Sequence, residues 1–481
     1  MTATETLTYT HGEFHRFDGA GREFLYVVPA GAVFEMDAAV STIIEILADG
    51  TASHEDLAAA LSKHGYTFDQ ACELVEELHE ARVLVKTGSQ PERLEAPPAD
   101  FPLQSLVMNL TNQCNLSCTY CYEFGADKVA TPEGKPKFMD LETAKASVDF
   151  LLSSSTGRKA VHITFFGGET LMNFPLLKQV VEYASEQASR QDRSVDFSLT
   201  TNATLLTPAI IQFLSDHRIG VTVSMDGPPE MHDKLRVFAN GRGSYDIVAP
   251  KVKALIEGHK TRPIVARVTL TNGVSDVVRI YRHLKDEMGF HEVGFAPVTT
   301  SPDRLYAINE PGMDRVLDQF HALADEYLEY ALRGELHGFT NVSDTIAELY
   351  QGVNKSHPCG AGLGLMGVGP SGDIAPCHRF VDSDTHALGN IATGLDKEKQ
   401  TQFLDRGHIN GKYDCHTCFA RPLCAGGCHH EAFVRYGDTG HANLHYCDWI
   451  RNWTDTCLRI YGTISVMNPG FLDRFAQRKA S

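Results

Sequence analysis

The chain has 481 residues, with 43 Lys plus Arg against 61 Asp plus Glu, a formal charge of −18. That acidity is a poor match for a phosphate backbone and argues against nucleic-acid binding through a basic face. No apolar run is long enough to span a bilayer, and Met1-Thr-Ala-Thr-Glu-Thr opens without a basic or apolar signal region. The expected location is the reducing cytoplasm, where clustered cysteines bind metal or do redox work rather than pair as disulfides.

In chain order, residues 1–95 read as one small unit. Arg22 to Val28 alternates as a strand, Pro29-Ala-Gly31 turns the chain, and Ala32 to Met36 pairs back as a hairpin. Asp37 is an N-cap, and Val40, Ile43, Ile44 and Leu47 form one buried helix face, ended by Gly50. Ser53-His-Glu-Asp56 and Thr67-Phe-Asp-Gln70 start two more helices, and Ala81 to Val85 closes the unit as a strand. The outline is that of a winged helix. Thr87 to Pro102, with Gly88, Pro91, Pro97 and Pro98, reads as a linker.

Residues 96–335 alternate strand and helix. Strands are expected at Leu103–Leu110, Val161–Phe166, Asp196–Thr201, Gly220–Met225, Val265–Leu270 and Glu292–Val298, with helices at Leu141–Leu152 and Leu176–Ser189 between them. This βα repeat predicts an α/β fold with a parallel sheet, and six strands rather than eight predict a partial (βα)6 barrel. After a helix near Met313–Leu332, residues 336–481 are Gly- and Cys-rich and are expected to lose regular periodicity.

Cys114, Cys118 and Cys121, spaced x3 and x2, follow the first barrel strand. Three local thiols suit a [4Fe–4S] cube with one open iron better than a four-ligand zinc site. This spacing, with Tyr120 before the last cysteine, resembles the signature of the radical S-adenosylmethionine (SAM) superfamily. The resemblance implies SAM contacts from Tyr120, from Gly167-Gly168-Glu169, from Thr201 and Asn202, and from Ser224 and Arg236. In that family the Gly-Gly-Glu segment meets the methionine ammonium, and the Ser and Arg hold the carboxylate; Thr170 stands here where Pro is usual. All these segments end successive expected strands, where barrel active sites are built.

Seven of the 12 cysteines fall between Cys359 and Cys447, too many for one zinc site. The pattern resembles the SPASM domain of peptide-modifying radical SAM enzymes, which carries two further [4Fe–4S] clusters. Carried over by position, Cys415, Cys418, Cys424 and Cys447 bind the outer cluster, and Cys359, Cys377 and Cys428 the inner one. The inner set lacks a fourth cysteine, which leaves an iron open unless Cys457 or another group closes it. Cys72 reads as core filler.

The N-terminal unit resembles the peptide-binding domain of ribosomal-peptide maturases, which docks a leader by strand addition. His11-Gly-Glu-Phe-His-Arg-Phe17, Val28-Pro-Ala-Gly-Ala-Val-Phe34 and the segment from Cys359 to Val381 resemble the quinohaemoprotein amine dehydrogenase maturation family. That resemblance implies thioether bonds between Cys sulfur and Asp or Glu methylene carbons in the dehydrogenase small subunit. It also implies three [4Fe–4S] clusters, SAM, and an electron donor such as flavodoxin or ferredoxin. Asp405 and Asp414, leading into Cys415, are candidate proton acceptors by location. The alternatives are a maturase of six-cysteine thioether peptides, a sulfatase-type formylglycine-forming maturase, and a cluster-bearing redox sensor.

Overall fold

The computed structural model describes residues 7–478 except 49, 91, 92, 99 and 132. Pro91 of the expected linker and the opening six residues of the expected first unit lie outside the described residues.

The chain begins with β1 (Thr8–His11), β2 (Phe14–Gly19), β3 (Arg22–Val27) and β4 (Ala32–Glu35). Helix α1 (Ala38–Ala48) follows, its Val40 N–H capped by the Asp37 carboxylate at 2.8 Å. After β5 (Ala52–Ser53), helices α2 (His54–Leu61) and α3 (Phe68–Glu80) each start with a full capping box, from Ser53 with Asp56 and from Thr67 with Gln70. Strand β6 (Leu84–Lys86) begins later than expected, because Arg82 takes a left-handed φ of +64° that turns the chain first. These strands form two antiparallel sheets, β2-β3-β4 and β5-β1-β6.

Residues Phe24 to Val27 are all buried, because both faces of β3 are covered. Leu25 and Val27 join the core under α1 to α3, while Phe24 and Tyr26 join the main core of the molecule. Period-two alternation therefore survives with each face meeting a different apolar partner.

The six expected barrel strands all form. They are β7 (Ser105–Asn109), β8 (Ala160–Phe166), β9 (Ser194–Thr201), β10 (Gly220–Ser224), β11 (Ile264–Leu270) and β12 (Glu292–Pro297). They lie side by side in that order, every pair parallel. Between them run α4 (Leu141–Ser154), α5 (Phe174–Arg190), α6 (Pro208–Asp216), α7 (Pro229–Leu235), α8 (Tyr245–Gly258) and α9 (Val277–Arg282). Outward strand residues such as Val161, Ile163 and Phe165 are buried under these helices. The barrel interior is polar instead: His162 bonds Asp196 and Ser198, and Thr164 also meets Ser198. A closed barrel fills this space with branched apolar side chains; here it stays hollow.

Beyond the barrel come α10 (Glu310–Leu332), α11 (Thr340–Tyr350), β13 (Leu365–Val368), β14 (Asp373–Ala375), β15 (Gly389–Asn390) and β16 (Gly394–Leu395). They are followed by α12 (Lys397–Gly407), α13 (Arg421–Cys424), α14 (His429–Tyr436) and α15 (Cys447–Met467). Strand β13 pairs in parallel with β7, so the Cys-rich region extends the barrel's own sheet. The expectation of a tail without periodicity is corrected by α15, which has 21 residues and buries Trp453, Cys457, Ile460 and Ile464. That i, i+4, i+7, i+11 stripe is a helix signal. Trp449 and Trp453 pack edge-on against Phe320 of α10, with ring centres 5.2 and 5.3 Å away.

The N-terminal unit docks on this region. His15 stacks on Phe419 at 3.8 Å and bonds Asp455 at 2.6 Å, and Glu13 pairs with Arg421.

Candidate active site

Cys114, Cys118 and Cys121 sit on the loop after β7 and line a cavity of about 680 Å³ at the barrel mouth. The loop is held by backbone bonds from Cys121 N to the Cys118 carbonyl (3.1 Å) and from Gly125 N to the Cys121 carbonyl (2.7 Å). Gly167 and Gly168 pack beneath it. A Cβ on Gly167, which has φ +122°, would run into the Thr111 carbonyl oxygen, and one on Gly168 into that of Gln113. These glycines therefore let two loops touch, and the amides of Gly168 and Glu169 bond the same two carbonyls at 3.0 and 2.9 Å.

The carboxylate of Glu169 is 1% exposed and is not part of the cavity wall. It accepts from the Thr201 hydroxyl (2.7 Å), Asn202 N (2.7 Å) and Leu171 N (3.0 Å). Burial raises its pKa and these donors oppose the rise. Glu169 thus braces the ends of β8 and β9, while Gly167, Gly168, Thr201 and Asn202 face the cavity. The Asn202 amide reaches Asn115 at 3.0 Å and the Cys114 sulfur at 3.8 Å, which ties the end of β9 to the cysteine loop.

Ser224 and Arg236 also line the cavity. Arg236 makes a two-point pair with Asp226, Nε–Oδ2 2.7 Å and Nη2–Oδ1 3.3 Å. Asp226 accepts further from the Tyr120 hydroxyl (2.6 Å) and Thr269 N (2.9 Å). Burial works against the Arg236 charge, but Asp226, Tyr120 and Cys118 together outweigh burial and hold the guanidinium above its ordinary pKa. Tyr120 is held protonated by burial. Asp226 lies just past β10, and its partners come from three separate segments, which no local motif marks.

The remaining cavity wall was not singled out by motif. Thr222, Val265, Arg267, Thr269, Glu292 and Gly294 point inward from β10, β11 and β12. Their signal is alternation along a barrel strand, which sends every second residue inward. Glu123, two residues after Cys121, accepts from the Asn109 amide at 3.2 Å, and burial with Asp382 nearby pushes its pKa up to about 8. His378 and Arg379, directly after Cys377, line the same cavity. Burial, aided by Arg379, lowers the His378 pKa to about 3.

The other cysteines form two groups by proximity. Cys415, Cys418, Cys424 and Cys447 line a cavity of about 220 Å³, and Cys428 lines it too. Cys359 and Cys428 are the charges that raise the Cys377 pKa, after burial, to about 12. Burial and then Cys424 raise Cys415 to about 11. Between the groups lies Lys412, 4% exposed, within electrostatic reach of Cys415, Cys424, Cys359 and Cys428. Among the described residues no three His, Cys, Asp or Glu side chains converge as ligands of one ion. All-thiol sets around wide spaces, with a buried cation between two of them, fit polynuclear anionic clusters rather than single tetrahedral zinc ions.

Cys457 is fully buried in the main hydrophobic core, where Thr345 is its hydrogen-bond partner. Cys72 is half-buried against the N-terminal core. Asp405 does not reach the barrel cavity. It is exposed on α12, beside a shallow depression it shares with Leu94, Ala96 and Asn410. Asp414 is exposed at the rim of the Cys415 cavity.

Residues 108–284 match the Radical SAM superfamily model. This stretch is a radical SAM domain. An uncharacterized protein of Methanocaldococcus jannaschii is 34% identical over 142 residues, which are 30% of this chain and 45% of that protein. The chain thus spans less than half the length of this relative. A cysteine-type anaerobic sulfatase-maturating enzyme of Clostridium novyi is 23% identical over 366 residues, 73% of this chain and 94% of that one. The solved structure of anSMEcpe with bound AdoMet superposes with a TM-score of 0.64 at 22% identity, covering 76% of this chain and 100% of that one. It shares the radical SAM domain's fold. No helix among the described residues is long and apolar enough to cross a membrane.

Proposed function

We propose that this chain is a radical SAM peptide maturase that forms thioether bonds between Cys sulfur and Asp or Glu methylene carbons. The proposed substrate is the small subunit of quinohaemoprotein amine dehydrogenase. The observation that carries the reading is a three-cysteine loop on a barrel-mouth cavity whose wall also includes the two residues that follow Cys377. Cys114, Cys118 and Cys121 line it, and His378 and Arg379 join it directly to Cys377.

In this reading residues 1–95 dock the leader, 96–335 form the radical barrel, and 336–481 form a SPASM domain. Cys114, Cys118 and Cys121 hold the first cluster. Cys359, Cys377 and Cys428 hold the inner auxiliary cluster, and Cys415, Cys418, Cys424 and Cys447 the outer one. Cys457, packed in the core, is left out of the inner set. When bound, SAM and the clusters supply the hydrogen-abstracting radical and an acceptor for the electron released on C–S bond formation, with flavodoxin or ferredoxin as reductant.

The chain's own part is positioning. Arg236, preset by Asp226 and Tyr120, meets the SAM carboxylate together with Ser224. Gly167 and Gly168 leave their backbone open to the methionine end, while Glu169 keeps that backbone in place through Thr201 and Asn202. His378 and Arg379 of the Cys-rich region complete part of the cavity wall and help keep water from the reacting carbon.

The test is mass spectrometry of the candidate subunit co-expressed with this chain, with Cys118→Ala as control. The expected product has lost two hydrogens per bridge and gained resistance of its cysteines to alkylation. A product unchanged in mass, with abundant 5′-deoxyadenosine formed, counts against thioether formation. A second reading, formylglycine formation, is favoured by the match to sulfatase-maturating enzymes over 73% of the chain. It is distinguished by loss of the substrate sulfur. Loaded protein should hold about twelve irons, and Cys415→Ala about four fewer.

A further inference from the structure

Strand β11 alternates cleanly. Ile264, Ala266, Val268 and Leu270 are buried under the outer helices, while Val265, Arg267 and Thr269 face the cavity. An arginine inside a barrel whose other inward residues are mostly Thr, Ser, Gly and Val needs a reason, because its charge is solvated there only by what enters the cavity.

The register places Arg267 level with Ser224 on one neighbouring strand and with Gly294 on the other. A Cβ on Gly294 would meet the Thr340 Oγ1 first, at 2.6 Å. The same Cβ would stand 3.4 Å from the Arg267 Nη1, so the guanidinium lies over a position without a side chain. A second guanidinium, Arg379, faces the same cavity and is near enough to act on Arg267. Burial depresses the Arg267 pKa first, Arg379 adds to that, and Asp344 opposes it. Arg379 itself lies over the Tyr122 ring at 4.9 Å. Among the described residues, neither guanidinium is held in a two-point carboxylate pair of the kind Asp226 gives Arg236. Two like charges thus face one concave space wide enough for a ligand, in a wall that also carries the carboxylates of Glu292 and Asp344.

We propose that Arg267, with Arg379 beside it, is the receptor for a carboxylate inside the barrel, supplied by the acidic side chain of the substrate peptide. This rests on the function proposed above and deepens it: the carboxylate of Asp or Glu is anchored, and its methylene is left as the free part of the side chain. Arg suits this role because its fork meets a carboxylate at two points, which an amide of the same shape cannot do. A site built for such a group rejects the isostere, since the guanidinium would otherwise stay unpaired. The methionine carboxylate of SAM has the same chemistry, so the test separates the two sources.

The probes are two capped tripeptides, acetyl-Gly-Glu-Gly-amide and acetyl-Gly-Gln-Gly-amide, and SAM itself. Each is titrated into the cluster-loaded full chain and into Arg267→Met and Arg267→Lys, with binding read by ligand-observed NMR. Iron content and melting temperature verify each variant. The expected result is a preference of the parent protein for the Glu peptide of about tenfold or more. Arg267→Met should abolish that preference with SAM affinity retained, and Arg267→Lys should keep part of it. Loss of SAM affinity in Arg267→Met, with no Glu preference in any protein, assigns the carboxylate to SAM and overturns the substrate assignment. Equal binding of both peptides and unchanged SAM affinity overturn the receptor altogether. If Arg267→Met fails to load clusters, the parent and Arg267→Lys decide: no Glu preference in the parent overturns the proposal. Neither probe contains cysteine, so a Glu preference is read even where no thioether forms. Failure of the maturase reading would instead leave the preference intact and the subunit unmodified.

Discussion

Lys412 donates from Nζ to the Ala425 carbonyl at 3.0 Å, inside a shell that contains cysteines of both C-terminal thiol groups. Its stem crosses Gly426, where a side chain would collide with it. Burying an ammonium with one carbonyl partner is costly unless negative charge lies near. Thiolate-bound clusters on either side supply that charge in the proposed assignment. A fixed cation favours the electron-rich state of each. Lys412→Met should therefore move the reduction potentials of both auxiliary sites to more negative values, on the order of 60 mV or more, with Lys412→Arg close to the parent. The first site should change little. Potentiometric titration followed by electron paramagnetic resonance measures all three, and a shift confined to one auxiliary site would place Lys412 with that site alone.

Gly167 gives a steric prediction. Alanine there sets a Cβ against the Thr111 carbonyl oxygen at a φ of +122°. Backbone meets backbone, so no side chain can swing aside. Gly167→Ala should cost on the order of 3 kcal/mol and displace the loop that starts at Thr111. Iron content should fall by about one cluster of four, with the auxiliary sites intact. A fully loaded, equally stable variant would show that this loop contact is not needed.

Much of this molecule is legible from its residues, and the gaps have physical causes. Each barrel strand alternates between helix-covered and cavity-facing positions, which a local pattern records. Strand β13 is a four-residue run between glycines, and its partner β7 lies more than 250 positions earlier. Its pairing is a long-range event with no local trace. The stripe of Trp453, Cys457, Ile460 and Ile464 is a helical signal in the sequence, interleaved with the spacing of the cysteines. Strands β1 and β2 carry His, Gly and charged residues, which weaken β propensity, and packing on two sides decides them. In the site, the first cysteine group is legible from its spacing, whereas the division of the C-terminal cysteines rests on the family resemblance. Arg267 and Arg379 owe their places to register and to the approach of a separate region, and the partners of Asp226 come from separate segments, so no motif marks them. Asp405 is near Cys415 in sequence but lies on α12, outside the wall of the barrel cavity.

Asp226 organises three partners at once: Tyr120, Arg236 and the Thr269 amide. Asp226→Ala would leave a buried guanidinium unpaired, at a cost of roughly 3–5 kcal/mol. Asp226→Asn keeps the shape and loses the charge, so it is the better probe. It should bind SAM at least about tenfold more weakly, because Arg236 is no longer held in one orientation. Equilibrium binding of SAM to the loaded protein reads the effect. Full affinity in Asp226→Asn would show that the cavity, rather than Asp226, orients Arg236.

Asp127, on the loop beyond Cys121, joins that loop to the segment after β12. Its carboxylate accepts from Thr300 Oγ1 (2.5 Å), Ser301 N (3.2 Å), and Arg304 Nε and Nη2 (3.0 and 2.8 Å). Burial alone would raise its pKa; the donors, Arg304 foremost, outweigh burial and hold it down to about 2. A carboxyl depressed on folding stabilises the fold at every pH above its ordinary value. That stabilisation is lost as pH falls from 3.8 through about 2. The melting-temperature gap between parent and Asp127→Asn should therefore be constant from neutral pH to about 4, then close towards pH 2. Differential scanning calorimetry of the metal-free protein, where cluster loss cannot contribute, gives the comparison. A gap that persisted undiminished to pH 2 would mean that shape at position 127, and not its charge, makes the joint.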